Sequence, residues 1–111
     1  MADVRRAYFR RYKYLIKDRL AVGVEMIMPG DSFGTENIVT ANIPNKKFEL
    51  NEDEAPVNIA EYLNESILME KLKIAERTGK SVSIGGRIYP IYKFNLSRLN
   101  KIYDVSERGL Q

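Results

Sequence analysis

The sequence predicts a small α+β domain, and three observations carry that prediction. Apolar residues alternate over residues 20–28, a Gly85-Gly86 pair separates two strand-like runs, and residues 57–79 read as one long helix. Strands and helices therefore fall in separate blocks, which argues against alternating βα units. The expected architecture is an antiparallel sheet of two hairpins packed on one central helix. A basic N-terminal helix or arm over residues 1–19 precedes a single domain over residues 20–111, which closes with a short C-terminal helix. At 111 residues the chain suffices for one modest core.

Residues 1–19 read MADVRRAYFRRYKYLIKDR. From Arg5 onward Arg5, Arg6, Arg10, Arg11, Lys13, Lys17 and Arg19 stand against one acid, Asp18, so this segment carries +6 while the whole chain carries +3. The positive charge is thus local. Tyr8, Phe9, Tyr12 and Tyr14 are interleaved with it. A helix is favoured, because Asp3 is a ready N-cap and Val4, Tyr8, Tyr12, Leu15 and Ile16 share a face at helical spacing. As a strand, Tyr12, Tyr14 and Ile16 would alternate with Lys13, Leu15 and Lys17.

Over residues 20–28, Leu20, Val22, Val24, Met26 and Met28 alternate with Ala21, Gly23 and Glu25, the pattern of a half-buried strand. Pro29-Gly30 ends it. After a loop, residues 37–43 form a second strand, antiparallel to the first. Residues 46–50 read as a short edge strand guarded by lysine. The acidic linker 51–56 then leads into the central helix.

That helix has a start, an apolar face and a stop. Asn58 is an N-cap and Glu61 is placed to complete a capping box, with Val57 and Tyr62 as a hydrophobic staple. Gly79 can take the left-handed conformation that closes helices. Glu61 and Glu65 lie near the positive end of the dipole, and Lys73, Arg77 and Lys80 near the negative end. Ala60, Leu63, Ile67, Ile74 and Ala75 form one stripe, widened by Leu68 and Leu72. Tyr62 and Met69 fall on the opposite face, so the helix is either covered twice or meets a partner there.

Beyond Gly79, residues 81–84 and 87–94 form a hairpin across Gly85-Gly86. Pro90 marks an edge strand or a bulge. Residues 96–105 read as a short helix with Leu96, Leu99, Ile102 and Tyr103 inward, and the tail 106–111 is expected to fray.

The absences are informative. The chain has no histidine and no cysteine, which excludes a Ser-His-Asp triad, a Cys-His pair, disulfides and the usual zinc sites. No apolar run of about 18 residues is present to span a membrane, and no secretory signal is seen. A cytoplasmic protein is expected, or a virion component if viral. The Gly79-Lys80-Ser81 tripeptide is not a phosphate loop: Ile74 stands where the first glycine belongs, and the order helix-then-strand presents the wrong end of the dipole to phosphate. Glu49, Glu52, Asp53 and Glu54 form one acidic cluster, read as solvated, and neither a metal nor a cofactor is expected. Asn64 and Asn95 begin chance matches to the glycosylation sequon.

The basic aromatic segment is the sharpest functional signal. Its candidate binding residues are Arg5, Arg6, Tyr8, Arg10, Arg11, Tyr12, Lys13, Tyr14 and Lys17. Arg87, Tyr89, Tyr92 and Lys93 of the second hairpin offer a further surface. The expected function is non-enzymatic assembly or adaptor work on protein subunits, forming a homo-oligomer or larger assembly, as in a virus- or phage-type structural or accessory protein. The basic segment and the acidic cluster would complement each other, between copies or within one. The alternative is nucleic-acid binding, with the cations on phosphates and the tyrosines stacked on bases.

Overall fold

In the N-terminal segment Ala7 and Phe9 alternate with Tyr8, Arg10 and Tyr12, a period of two that suits a strand. In the computed structural model, which describes residues 6–15, 17–43 and 49–105, the segment is a strand and not the expected helix. The described chain runs β1 (Arg6–Lys13), β2 (Leu20–Ile27), β3 (Glu36–Ile38), β4 (Glu54–Pro56), α1 (Leu63–Lys71), β5 (Ala75–Ile84), β6 (Arg87–Phe94), a 3-10 turn (Leu96–Arg98) and β7 (Lys101–Asp104). Ala7 and Phe9 are fully buried, while the tyrosines and Arg10 take the other face, as strand geometry requires. Tyrosine and phenylalanine also favour strands.

The strands form two antiparallel sheets, ordered β3-β2-β1-β7 and β4-β6-β5. β1 pairs with β2 from Arg6 opposite Ile27 to Lys13 opposite Leu20. Residues 39–41 join the sheets. The Val39 N–H donates to the Val22 carbonyl at 3.0 Å, the Ala41 N–H to the Pro56 carbonyl at 2.9 Å, and the Asn58 N–H to the Val39 carbonyl at 2.9 Å. Hydrogen bonding therefore continues from β2 across to the second sheet. The core lies between the sheets and α1, with Phe9, Val22 and Val24 meeting Val57, Met69, Tyr92 and Phe94. Each large apolar side chain buried there contributes roughly 1.5–3 kcal/mol.

The long central helix is corrected to nine residues, Leu63–Lys71. Asn58 and Glu61 do pair, the Asn58 Oδ1 accepting from the Glu61 N–H at 3.4 Å, but they shape the turn before the helix. The helix stops at Lys71, eight positions ahead of Gly79, because Lys73 takes φ 60 and Ile74, fully buried, turns into the core. Residues 75–79 then continue as β5. Gly79, at φ 85, lies within the register shift between Arg77 and Ser81, so it serves a bulge and not a helix end. The buried helix face is rotated from the expected stripe: Leu68 is buried as expected, but with Ser66 and Met69, while Leu63 and Ile67 are exposed.

Three further expectations change. The C-terminal helix is a 3-10 turn followed by β7, which pairs with β1 from Lys101 opposite Phe9 to Asp104 opposite Arg6. Asn100, at φ 60, makes the break, its N–H donating to the Phe9 carbonyl. β6 is the central strand of its sheet and not an edge, with the β5 bulge beside its Pro90. Glu54–Pro56 is strand and not linker. Of the expected strand over 46–50, residues 46–48 lie outside the described residues, as do 1–5 and the tail 106–111.

Candidate functional site

The outer face of the first sheet holds Tyr8, Arg10 and Tyr12 in one connected network. Arg10 Nη1 donates to Glu25 Oε1 at 2.6 Å and to Glu36 Oε2 at 2.9 Å. Its guanidinium lies 4.0 Å over the Tyr8 ring. The Tyr12 hydroxyl donates to Glu36 at 2.9 Å. Glu25 is buried and also accepts from the Gly34 N–H at 2.7 Å. Gly23 leaves room for this arrangement, since a Cβ there would stand 2.8 Å from the Glu36 carboxylate.

Electrostatics follow from these contacts. The Gly34 N–H foremost, then Arg10, hold the Glu25 carboxyl below its ordinary value, and burial opposes them. The two carboxylates raise Arg10 further above an already high value. The hydrogen bond to Glu36 is the main cause raising Tyr12.

The predicted binding residues thus divide into two groups. Tyr8, Arg10 and Tyr12 are engaged with each other or with carboxylates. The Tyr14 hydroxyl donates to the Thr40 carbonyl at 3.1 Å, and Arg6 donates to the Asp31 carbonyl at 3.0 Å. Arg11, Lys13 and Lys17 are exposed, and among the described residues their side chains have no hydrogen-bonding or ionic partner. Arg5 lies outside the described residues.

These cations flank the β1–β2 turn, where Leu15 is 99% exposed. The turn is closed by the Tyr14 N–H donating to the Arg19 carbonyl at 2.8 Å. Lys17 and Asp18 adopt left-handed φ values of 69° and 50°, a conformation that is uncommon for residues other than glycine. A cleft of about 470 Å³ opens beside the turn, lined by Arg11, Lys13, Lys17 and Arg19 together with Asp18, Glu49, Glu52 and Glu54. The basic segment and part of the acidic cluster therefore meet within one chain. Glu54 does not belong to a solvated cluster. It is buried and pairs with Lys80 at 3.0 Å, and the Asn51 N–H foremost holds its carboxyl low.

In the second hairpin Arg87 is exposed, Tyr89 is half-buried opposite Val82, and Lys93 is exposed between Glu54 and Glu76 on the neighbouring strands. Tyr92 is fully buried. Its hydroxyl donates to Glu70 Oε2 at 3.0 Å and accepts from Arg77 Nε at 3.1 Å. Burial foremost, then Glu70, raise its pKa.

Sequence reasoning missed the apolar side chains at strand connections. Helical spacing places Leu15 on a helix face with Tyr8 and Tyr12. Phe33, in the β2–β3 loop, is 77% exposed, and Ile88, beside the Gly85-Gly86 turn, is 63% exposed. A lone apolar residue inside a polar loop was the available signal for Phe33.

A second cleft, of about 780 Å³, lies where the end of α1, the start of β5, the end of β6 and the 3-10 turn meet. Ile74, Ala75, Phe94 and Leu96 line it, with Asp53, Glu70 and Glu76 set against Lys73 and Lys93. Among the described residues no helix is long and apolar enough to cross a membrane. Comparison with protein-family models, curated proteins and solved structures finds no match to this chain.

Proposed function

We propose that this protein is a non-enzymatic assembly protein, joining protein subunits, copies of itself among them, through apolar side chains at its strand connections. The observation that carries the proposal is the placement of Leu15, Phe33 and Ile88. A single exposed apolar residue is ordinary on a protein surface. Here two connections and the first residues of β6 each present one, at 99%, 77% and 63% exposure. Leu15 lies in the β1–β2 turn, Phe33 in the β2–β3 loop and Ile88 at the start of β6, so the three stand at separate places on the surface. The β5–β6 hairpin adds open backbone. Among the described residues Arg87–Tyr89 pairs only with β5, and β5 pairs only with β6.

The test is solution mass by light scattering over a concentration series. Wild type is expected above the 12.8 kDa of one chain. A variant combining Leu15→Asp, Phe33→Ser and Ile88→Ser is expected at one chain, with unchanged far-UV circular dichroism. A wild type that stays at one chain throughout would refute the proposal.

Arg11, Lys13 and Lys17 support a narrower second reading, phosphate contact without base stacking. Fluorescence anisotropy of duplex DNA checks it. Three contacted phosphates predict a log–log salt slope of about −2.7, and no binding at low salt removes the reading.

A further inference from the structure

We infer that Leu15 of one copy inserts into the 780 Å³ cleft of a second copy, making a head-to-tail contact. The inference rests on the assembly reading and names its partner surface. The tip is built to project. Leu15 is 99% exposed, yet the backbone beneath it is fixed by the Tyr14–Arg19 hydrogen bond and by the Tyr14 hydroxyl on Thr40. Two consecutive left-handed residues, Lys17 and Asp18, complete the turn without a glycine.

Charge selects between the two clefts. The 470 Å³ cleft sets Arg11, Lys13, Lys17 and Arg19 against Asp18, Glu49, Glu52 and Glu54, so its charge is balanced and offers a basic tip no excess of acceptors. In the larger cleft the carboxylates Asp53, Glu70 and Glu76 outnumber Lys73 and Lys93. Arg11, Lys13 and Lys17 have no partner among the described residues of their own chain, and those carboxylates give them acceptors. Glu70 accepts from Tyr92 through one oxygen, Oε2, leaving Oε1 for a cation. Leu96, half-buried, supplies apolar wall for the leucine, with the buried Ala75 and Phe94 behind it. The volume lies within the roughly 300–1,000 Å³ range of binding clefts.

Tip and cleft are different surfaces, so each copy keeps one unused tip and one unused cleft. Such a heterologous contact closes into a ring or continues as a filament.

Sedimentation velocity on the full chain tests this with three samples. Leu15→Asp removes the tip and Leu96→Arg blocks the cleft. Each alone is expected at the mass of one chain while wild type runs larger. Mixed one to one, they retain one intact tip and one intact cleft between them, so they are expected to form a pair and stop at twice the chain mass of 12.8 kDa. Leu15→Asp lies in solvent and should keep the wild-type melting temperature. Should Leu96→Arg melt early, Asp53→Lys replaces it. Association of Leu15→Asp at the wild-type level would overturn this contact and leave the assembly reading standing. So would a mixture that stays at one chain mass. A wild type at one chain mass would overturn both.

Discussion

Gly34→Ala tests how the loop between β2 and β3 is seated. A Cβ at position 34 would stand 1.9 Å from the Met26 carbonyl oxygen and 2.9 Å from its carbon. Both are backbone atoms of β2, so no side chain can swing aside. The loop must lift, and the Gly34 N–H must then leave Glu25. Overpacking with forced backbone shifts costs about 1–3 kcal/mol, and the upper half of that range applies because backbone is the obstacle. For a domain near 100 residues that corresponds to a fall in Tm of roughly 10–15 °C. Gly30→Ala is the control. Its Cβ would meet nothing within 4 Å, and only its φ of 84° opposes a side chain. The left-handed conformation costs about 1–2 kcal/mol, so Gly30→Ala should melt between wild type and Gly34→Ala. Thermal unfolding followed by circular dichroism measures all three. A Gly34→Ala protein melting at or above Gly30→Ala would refute the seating of the loop against β2.

Two further predictions concern the polar network. Tyr92→Phe removes the hydroxyl between Glu70 and Arg77 and should cost about 1 kcal/mol, the net value of an ordinary hydrogen bond, read as a Tm about 5 °C lower. Glu25 and Glu54 both have folded pKa values below the ordinary carboxylate value. Their stabilisation is therefore complete above the unfolded value, about 4.3, and is lost as pH falls through the lower folded values. Urea unfolding between pH 6 and pH 2 (both about) should show this acid limb, and Glu25→Gln should flatten it. An unchanged limb in Glu25→Gln would assign the acid sensitivity elsewhere.

What the sequence made legible was local. Residues 20–27 form a strand where one is expected, although it is buried on both faces, Ala21, Gly23 and Glu25 included, and not half-buried; the Gly85-Gly86 hairpin forms where two glycines permit the tight turn. Misreadings came where two periods coexist. In residues 4–16, Tyr8 and Tyr12 satisfy helical spacing, while Ala7 and Phe9 satisfy strand spacing. Pairing with both β2 and β7 decides between them, and such long-range pairing leaves no local mark. In residues 57–79 the caps were plausible at both ends, yet Ile74 and Ala75 suited a strand equally well. Met69 went to the core because apolar residues lie all around this helix, so the stripe alone did not choose a face.

The candidate site was legible in composition and not in geometry. The cationic segment stood out, but Glu25 and Glu36 are distant in sequence from Arg10 and reach it only across paired strands. Arg11 and Lys13 are exposed in the last part of β1, past its pairing with β7, and Lys17 in the turn that follows.

The central claim, head-to-tail assembly through Leu15, has a direct measurement. The chain has no cysteine, so Leu15→Cys combined with Ser97→Cys places one thiol on the tip and one in the cleft. Oxidation followed by non-reducing electrophoresis should give a ladder of linked chains, with neither single variant rising beyond a pair. Oxidation that leaves the double variant unlinked, at concentrations where wild type associates, would contradict the claim.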